Sequence, residues 1–491
     1  MRLAVRAERL SARRATWYAS APMRENAVEE VEPAQVQMDR IARAVGGVPR
    51  VAYEAAHVYP LSTPSFTPCE DATRHIAGGD PIKLYVHVPF CHYACNFCFY
   101  AKLVGSSRHR MSRYVAAVLR ELEIVENVDS LAQLYVGGGT PTALPADLLG
   151  ELLAGIAARL RPSPRASVTV ETSPESLTDA HLDALLRFGV GRASIGVQTL
   201  DEDVLETIQR RHNARQALAA CTQLVERGFF VNVDLMYGFA GQTEASFRAD
   251  LGALAACRPD SFTIYNVRLN ERTPLARIGG DGARLDLATL IRWRRTVVDT
   301  ARQLGYSQTR WHTFVRAGAR TSTYDRAPCV DGFGHGRQLG VGVSAVSHLG
   351  DVVYRNEEHL ESYLARIEGE RTPVTGLFPL DQDDARTLFV VRTLGDGEPL
   401  PLASYEQIFG ASIRSHFGDV IAALSHARLL SDDGEQLSLT DIGRLVYDLV
   451  TFQFYPERQR RWLAERQRRS GARSAEGDAP AIHSNAIAAA R

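Results

Sequence analysis

Cysteine, methionine and net charge are all scarce in this chain of 491 residues, which has seven Cys, five Met and a formal net charge of −1. The balance of 56 Lys and Arg against 57 Asp and Glu gives no electrostatic reason to expect a nucleic acid or an anionic membrane as the main partner. No apolar run approaches the roughly 18 residues that a membrane-spanning helix needs. Residues 1–30 carry positive charge but no sustained apolar core, so they do not predict a secretory signal.

The seven cysteines do not suggest a disulfide framework. Seven is an odd number, and Cys69, Cys221, Cys257 and Cys329 are isolated in the sequence. Isolated thiols in a large chain are typical of a protein in a reducing compartment. We therefore predict a cytoplasmic protein.

From about residue 81 to residue 312, strand-like runs alternate with helical patterns. Six runs rich in Val, Ile, Tyr and Phe have the apolar character of strands buried on both faces, and they are residues 82–88, 131–137, 167–172, 192–198, 230–238 and 261–267. Helical spacing of apolar residues or an acidic helix start marks residues 113–125, 146–160, 179–189 and 201–211. Six strand–helix units predict an α/β fold with a parallel sheet, which forms a partial, open (β/α)6 TIM-like barrel because a closed barrel needs eight units.

The predicted domain organisation has six segments. They are a disordered leader (1–50), an N-terminal extension (51–80), the partial barrel (81–320), a region that completes the barrel (321–378), a lid-like C-terminal module (379–462) and a disordered tail (463–491). The module shows helical patterns and a short two-stranded turn near residues 432–439, which suggests a helical, winged-helix-like shape. Its charge does not favour DNA, so we interpret it as a lid or packing partner.

Three cysteines, Cys91, Cys95 and Cys98, follow the first predicted strand in a C-x3-C-x2-C loop. A structural zinc site usually combines two ligand pairs, and no second pair follows nearby. Three unrelated buried thiols are a second alternative. A four-iron cluster normally takes four thiolates, so three thiolates from one loop would leave the fourth iron open as a binding position. We favour the cluster.

This loop, placed after the first strand of a partial barrel, resembles that of the radical S-adenosylmethionine (SAM) superfamily. The resemblance implies a [4Fe–4S] cluster on Cys91, Cys95 and Cys98, with the amino and carboxylate groups of SAM on the open iron. In that family one electron from the reduced cluster cleaves SAM to methionine and a 5′-deoxyadenosyl radical, which abstracts hydrogen from the substrate. The cofactor carries the radical chemistry, and the protein supplies binding and orientation.

Glycines and polar residues stand at the ends of the later strands. YVGGGTPT (135–142) ends the second strand, where glycine allows close backbone approach to a ligand and Thr140 and the backbone amides are candidate donors. Glu171 and Gln198 end the third and fourth strands, and Asp234 lies in the fifth. Polar residues at the carboxyl ends of parallel strands face the ligand mouth. For any single residue a satisfied core polar group is the alternative, but the set predicts a ligand site.

Five motifs, YVHVPFC, GGGTPT, GVQ, VDLMYGFAGQT and GVGVSAVSHLGD, make the chain similar to the oxygen-independent coproporphyrinogen III oxidase subfamily from about residue 83 to residue 454. That subfamily binds two SAM molecules, and the second site includes part of 321–378. The resemblance implies that the SAM on iron contacts Tyr85, Gly138, Glu171 and Val346. It implies that the second SAM is surrounded by Phe97, Gly139, Thr140, Gln198, Arg210, Asp234 and Arg268.

Two features depart from that subfamily. Its RYTSYP-like segment before the cluster is absent, and Tyr100 stands where it has a fourth cysteine. The same scaffold hosts haem chaperones, anaerobic haem degradation, and class C radical SAM methyltransferases and cyclopropanases of natural-product pathways. We interpret the chain as one of the last group, because both SAM sites are retained while the porphyrinogen-binding features are not. The predicted reaction transfers a methyl or methylene unit to an sp2 carbon, and the alternatives are a coproporphyrinogen III oxidase-type decarboxylase and a haem chaperone.

Two further residues are candidates for catalysis. Cys329 lies in YDRAPCVDGFGHG, before a second glycine-rich turn, and an ordinary structural cysteine is the alternative. His312 in TRWHTF is a candidate acid or base, and a packed histidine is the alternative. The predicted partners are a small-molecule substrate, an electron donor such as flavodoxin or ferredoxin and, for methyl transfer, a partner methyltransferase, with no nucleic acid or membrane.

Overall fold

The structure is a computed structural model that describes residues 34–46, 66–70, 81–125, 128–268, 273–278, 285–310, 312–320 and 337–465. The chain divides into two units, residues 1–40 and 41–491, and the sheet and site below lie in the second. No helix in the described ranges is long and apolar enough to cross a membrane.

In chain order the strands of the described residues are β1 (Thr67–Pro68), β2 (Ile82–Val88), β3 (Phe90–Cys91), β4 (Leu103–Val104), β5 (Ser130–Gly138), β6 (Arg161–Thr172), β7 (Arg192–Gln198), β8 (Phe230–Tyr237), β9 (Ser261–Asn266), β10 (Tyr306–Gln308), β11 (Thr313–Arg316), β12 (Gln338–Val341), β13 (Val346–Leu349), β14 (Val352–Asn356), β15 (Val374–Pro379), β16 (Leu400–Pro401), β17 (Leu430–Asp432) and β18 (Gln436–Leu439). Most of these strands belong to one mixed sheet with the order β1-β15-β14-β13-β12-β2-β5-β6-β7-β8-β9-β11-β10.

Helices connect the parallel strands and form most of the C-terminal region. In chain order they are α1 (Ala34–Val45), α2 (Arg108–Ile124), α3 (Ala146–Arg159), α4 (Asp179–Arg187), α5 (Glu202–Thr207), α6 (Ala214–Glu226), α7 (Glu244–Ala256), α8 (Pro274–Ile278), α9 (Leu287–Gln303), α10 (Leu360–Glu368), α11 (Gln382–Gly395), α12 (Leu402–Phe409), α13 (Ile413–His426), α14 (Asp441–Leu445) and α15 (Tyr447–Phe452).

The predicted parallel sheet is confirmed. β2, β5, β6, β7, β8 and β9 correspond to the six predicted runs, and each pairs in parallel with the next. The strands are buried along most of their length, as in β8, because the connecting helices cover the sheet. The carboxyl ends of all six strands therefore lie at one edge, which is where a barrel of this kind places its ligands.

The sheet extends further than the sequence predicted. β12 adds a parallel strand on the outer side of β2, and β13, β14 and β15 continue in antiparallel order. GVGVSAVS (340–347), predicted as a turn, contains the end of β12, a turn and the start of β13. The short strands escaped the sequence analysis because four residues carry too little periodicity to separate a strand from a turn.

Two local predictions are corrected by the structure. The helix predicted over 201–211 ends at Thr207, because Gln209 takes a left-handed conformation with φ of 59° that a helix cannot continue. Part of the predicted leader, Ala34–Val45, is helix α1, in which Ile41 and Val45 are buried one helical turn apart. The rest of the leader, and the tail beyond residue 465, lie outside the described residues.

The predicted C-terminal helical region is confirmed, with a small sheet of its own. β17 and β18 form the expected turn near residues 432–439, and β16 pairs with β18 to make a third strand. Pairing of a segment about 36 residues upstream is a tertiary contact that the local turn signal does not contain.

A buried carboxylate on α2 fixes the turn between β12 and β13. Glu121 is fully buried, and it accepts a hydrogen bond from the Gly342 amide at 2.7 Å. It also accepts hydrogen bonds from Asn356 Nδ2 at 2.9 Å and from the Tyr363 hydroxyl at 2.6 Å. Gly342 has φ of +96°, and a Cβ there would lie 2.4 Å from Tyr114 Oη. Glu121 therefore ties this turn, which leads into β13, to β14 and α10, and the turn requires glycine at position 342.

We expect Glu121→Gln to lower the free energy of unfolding by about 1–3 kcal/mol, because an amide cannot accept from all three donors at once. Glu123→Gln is the matched control, since Glu123 is exposed and pairs with exposed Arg120 on the surface of α2, where a pair contributes little. Urea unfolding of both variants measures the difference. Equal loss in the two variants would show that Glu121 does not anchor this turn.

Candidate active site

A cavity of about 1200 Å3 opens at the carboxyl ends of the parallel strands. All eleven residues predicted to contact SAM line it, from six strands and four connecting segments, and they are Tyr85, Phe97, Gly138, Gly139, Thr140, Glu171, Gln198, Arg210, Asp234, Arg268 and Val346. Cys98 and His312 also line the cavity. The fold thus brings together residues that are up to 261 positions apart in the sequence (Val346 against Tyr85), while their roles as SAM contacts stay predictions.

The cysteine loop is anchored on α5. The side-chain amide of Asn96 donates to the carbonyl of Thr207 at 2.9 Å, and its backbone amide donates to the carbonyl of Ile208 at 3.2 Å. Residue 96 thereby caps the end of α5, whose last carbonyls would otherwise lack partners. At the other end of the loop, Leu103 donates to the carbonyl of Pro89 at 2.7 Å. The loop is therefore held between its second and third cysteines and across the two flanks of the three-cysteine segment.

The three cysteines fit a cluster of several irons. Cys91, Cys95 and Cys98 are free thiols on this one loop, and they are close enough to influence one another's pKa. Within the described residues, no three His, Cys, Asp or Glu side chains are placed to hold a single metal ion. The ligands of a cluster bind separate irons and need not converge on one point. Burial raises the pKa of the Cys91 thiol to about 11, so binding of iron there must release protons.

The glycine turn after β5 packs directly on the cysteine loop. A Cβ on Gly139 would lie 2.9 Å from Cys91 Sγ and 2.7 Å from the carbonyl oxygen of Phe90. Thr140 Oγ1 lies 3.7 Å from the same sulfur. The backbone amides that the sequence offered as ligand donors are used inside the chain, because Gly139 and Thr140 donate to carbonyls of the cysteine-loop segment. The turn therefore supports the cysteine loop through its backbone hydrogen bonds, while its other side lines the cavity.

Glu171 ends β6 and accepts two hydrogen bonds inside the cavity wall. The Tyr135 hydroxyl donates to Oε1 at 2.6 Å, and the Gly138 amide donates to Oε2 at 3.2 Å. Burial raises the pKa of Glu171 to about 7, although the hydrogen bond from Tyr135 lowers it, and the Asp234 carboxylate adds to the rise. The group can therefore hold or release a proton near neutral pH.

Asp234 occupies β8 within a network of side-chain hydrogen bonds. Its carboxylate accepts from the Ser194 hydroxyl at 2.9 Å and from Asn232 Nδ2 at 3.0 Å. Asn232 in turn accepts from Ser261 and Thr263 on β9. Burial raises the pKa of Asp234 to about 6, against the lowering effect of the neighbouring arginine charge. Three adjacent strands thus share in orienting one carboxylate.

Arg210 and Gln198 lie beside the cysteine loop. Gln198 ends β7 with φ of 73°, a left-handed conformation that turns the chain toward the cavity. Arg210 donates to the carbonyl of Gly196, and its second terminal nitrogen lies 3.6 Å from Cys95 Sγ. Arg211 next to it is exposed. Of these two neighbouring arginines, Arg210 is the one that lines the cavity.

Arg268 and His312 mark the side of the cavity next to the C-terminal region. Arg268 donates to Asp448 of α15 at 2.9 Å, so the chain itself supplies this arginine with a carboxylate. The His312 ring lies 4.3 Å from the Tyr265 ring, and burial, with the charge of Arg268, lowers the pKa of His312 to about 3. His312 is thus a neutral imidazole in the cavity wall. The other candidate, Cys329, lies outside the described residues.

Three further residues complete the contact set. The hydroxyl of Tyr85 donates to His87 Nδ1 at 3.0 Å, since His87 Nε2 donates to the carbonyl of Ala101. Phe97 packs against Phe239 with 6.0 Å between ring centres, and Val346 opens β13 at the turn that Glu121 holds. The sequence motifs named these positions without showing what supports them.

Two clusters in the site were not found from the sequence. One joins Tyr93, Glu175 and His212 behind the cysteine loop, where Glu175 accepts from Tyr93 at 2.6 Å and from His212 at 3.2 Å. The only local signal was a second glutamate four residues after Glu171. The other joins Arg294 to Asp448 through two 2.8 Å hydrogen bonds, across 154 positions of sequence. Contacts at that separation leave no local pattern.

Comparisons with known proteins agree with this geometry. The model of the radical SAM superfamily matches residues 85–254, and that of the HemN C-terminal domain matches residues 380–446. The chain is 28% identical over 400 residues to an oxygen-independent coproporphyrinogen III oxidase of Pseudomonas aeruginosa, covering 77% of this chain and 86% of that protein. It is 29% identical over 386 residues to the heme chaperone HemW of Mycobacterium tuberculosis, covering 76% and 94%.

A solved structure confirms the fold. Coproporphyrinogen III oxidase (HemN) from Escherichia coli superposes with a TM-score of 0.69 at 24% sequence identity, covering 90% of this chain and 98% of that chain. The C-terminal helical region is included in this likeness, since the match spans nearly the whole of both chains. The comparison extends the fold assignment beyond the two segments that the family models match.

The predicted methyl or methylene transfer is wrong. The curated relatives that match most of the chain are coproporphyrinogen III oxidases and heme chaperones, and the solved structure is of the first kind. The prediction relied on the retention of both SAM sites, on a missing upstream segment and on Tyr100 in place of a fourth cysteine, and these features do not identify the substrate. The predictions of a natural-product substrate and of a partner methyltransferase depended on methyl transfer and therefore lose their support. The comparisons support a [4Fe–4S] cluster and SAM as the cofactors, but they do not support a second SAM molecule.

The raised pKa of Glu171 predicts a pH-dependent stability for the protein without SAM. A carboxyl whose pKa rises from 4.5 to about 7 on folding stabilises the folded state fully below pH 4.5, and this stabilisation is lost as pH rises through 7, by at most about 1.4 kcal/mol per pH unit. We expect Glu171→Gln to flatten this decline. Glu151→Gln, on the exposed side of α3, is the control and should keep it.

Urea unfolding at pH 5, 6, 7 and 8 measures the slope for the three proteins. An identical slope in wild type and Glu171→Gln would contradict a raised pKa for this group.

Proposed function

We propose that the chain is a radical SAM oxidoreductase of the HemN-like group and that it acts on a carboxylate-bearing tetrapyrrole. The matches to the radical SAM and HemN C-terminal domain models, and the likeness to coproporphyrinogen III oxidases and HemW heme chaperones, support this proposal. The reaction is oxidative decarboxylation of a propionate side chain, as in the coproporphyrinogen III oxidases. The observation that carries the proposal is one large cavity that joins the cysteine loop to an arginine-rich wall.

The residues present fit the cofactors that the superfamily implies. Cys91, Cys95 and Cys98 would hold a [4Fe–4S] cluster, and SAM would bind in the cavity beside Cys98. When bound, the cluster and SAM would supply one-electron cleavage of SAM and abstraction of a hydrogen atom from a propionate. Loss of carbon dioxide from the propionate radical would leave a vinyl group and release one electron, which a one-electron acceptor would take up. The electron donor, for which flavodoxin and ferredoxin are the candidates, stays a prediction.

The size of the cavity suits SAM together with a second molecule. Ligand pockets typically measure about 300–1000 Å3, and this one reaches about 1200 Å3. Arg444, Leu445 and Tyr447 of the C-terminal region form part of its wall. A substrate bound between the strand ends and this region would be separated from bulk water, which strengthens every electrostatic contact inside.

The charge of the wall suits a substrate with several carboxylates. Five arginines line the cavity, and they are Arg210, Arg268, Arg294, Arg355 and Arg444. Three carboxylates lie opposite them: Glu175 near the first, Asp448 shared by the next two, and Glu358 near the fourth. Five cations against these three anions leave two in excess. Asp234, with a pKa of about 6, is mostly ionised at neutral pH, whereas Glu171, whose pKa burial raises to about 7, is about half protonated, so the two carboxyls offset the excess only in part. Guanidinium groups bind carboxylates through paired hydrogen bonds.

Arg355 is the arginine best placed to meet a substrate carboxylate. Its guanidinium lies 4.8 Å from the Phe66 ring and 3.3 Å from Glu358, and its buried Nε finds no acceptor among the described residues. A buried donor without a partner costs free energy that a ligand acceptor would recover.

Heme binding without radical chemistry is the second candidate. It is favoured by the likeness to HemW, of whose length the match covers 94%, and by the neutral imidazole of His312 in the cavity wall, since a neutral ring nitrogen can ligate iron.

Anaerobic incubation of the reconstituted protein with SAM, a reductant and coproporphyrinogen III tests the proposal. We expect 5′-deoxyadenosine and carbon dioxide to form with the substrate and not without it. Arg355→Gln should raise KM by about 10-fold, the loss expected for one charge-assisted hydrogen bond. Arg110→Gln, an exposed arginine on α2, should leave KM unchanged.

Stoichiometric heme binding without cleavage of SAM would replace the oxidoreductase by the chaperone. Cleavage of SAM that no tetrapyrrole stimulates would contradict both.

A further inference from the structure

A buried polar cluster lies behind the cysteine loop and reaches two of its residues. Glu175 accepts from the Tyr93 hydroxyl at 2.6 Å and from the Ser173 hydroxyl at 2.6 Å, both on Oε1. On Oε2 it accepts from His212 Nδ1 at 3.2 Å and lies 4.0 Å from a terminal nitrogen of Arg210. Both carboxylate oxygens are therefore engaged.

The polar cluster is buried deeply enough for its charges to interact strongly with one another and with the cysteine loop. The side chains of Glu175, Arg210 and His212 are 14%, 8% and 0% exposed. Charges that are removed from water interact more strongly than charges at the surface, and salt screens them less. Arg210 is also fixed from a second side by its hydrogen bond to the carbonyl of Gly196.

Arg210 connects this polar cluster to Cys95. Its Nη1 lies 3.6 Å from Cys95 Sγ, and its guanidinium lies 5.6 Å from the centre of the Tyr93 ring. Glu175 thus reaches the loop twice: directly through Tyr93, and through Arg210 to the sulfur two residues further on.

We propose that Glu175 is a positioning residue for the iron–sulfur centre, which holds the cysteine loop and offsets the positive charge that Arg210 places on Cys95. Net charge and hydrogen bonds to the ligand sulfurs are the levers by which a protein sets the potential of a cluster. Reduction adds one negative charge to the centre, so Arg210 favours the reduced state and Glu175 disfavours it. The role does not depend on the substrate.

Glu175→Gln tests this, because an amide oxygen can still accept from Tyr93 and Ser173 while the negative charge is lost. Reconstituted anaerobically, the variant should keep its iron and sulfide, and its midpoint potential should shift to a more positive value. A tenfold change in the reduction equilibrium corresponds to about 59 mV for a one-electron couple. The measurement is a redox titration followed by electron paramagnetic resonance, in the absence of SAM and substrate.

Glu206→Gln is the matched control, since it makes the same charge change at an exposed position of α5, the helix on which the cysteine loop is anchored. Its potential should equal that of the wild type. Full iron content with an unchanged potential in Glu175→Gln would overturn the proposal.

Glu175→Asp covers the case in which Glu175→Gln takes up little iron. The aspartate keeps the charge on a shorter side chain, so recovery of iron binding in this variant supports the proposal. If the aspartate variant loses iron as completely as the glutamine variant, the residue only fills space and the proposal is overturned. Because neither measurement contains a tetrapyrrole, failure of the proposed function leaves these results unaffected.

Discussion

The contact between the cysteine loop and the glycine turn after β5 is the constraint on which the site depends. Gly139 lies where any Cβ would overlap Cys91 Sγ and the Phe90 carbonyl. This close contact places the thiols at the cavity, and it forms only if the two neighbouring strands that precede the loop and the turn end side by side. The parallel order of β2 and β5 provides that arrangement. Glu171 and Asp234 reach the same edge because every strand of the set runs in the same direction.

The sequence was sufficient for those parts of the molecule whose signal is local. Continuous apolar runs located the six parallel strands, and the spacing of Cys91, Cys95 and Cys98 predicted their common loop. It was insufficient where pairing joins distant segments. β12 gains its strand character from β2, and Asp448 meets Arg268 and Arg294 only after folding. Likewise, the sequence could not show that the Gly139 and Thr140 amides have partners, because their acceptors are the carbonyls of Val88 and Phe90, about 50 positions earlier in the chain.

The prediction of methyl transfer failed for a related reason. Under the proposed function, substrate choice depends on the side chains that face the cavity from β14, α9 and the C-terminal region, and the sequence does not show which of them share a wall. A missing upstream segment was taken as a sign of a different substrate. The cavity itself presents Arg355, Arg294 and Arg444, which suit carboxylates. Candidate cofactor residues were easier to predict than substrate residues, because the short motifs that carry the resemblance stand at strand ends in the sequence.

The central claim is that this loop holds an iron–sulfur cluster with one position left for SAM. The most direct test is electron paramagnetic resonance of the reduced, anaerobically reconstituted protein before and after addition of SAM, with Cys98→Ser and Cys69→Ser compared with the wild type. The account predicts about four irons per chain and a spectrum that changes when SAM is added, both retained in Cys69→Ser and lost in Cys98→Ser. A spectrum that SAM leaves unchanged, or a cluster that survives the loss of Cys98, would contradict it.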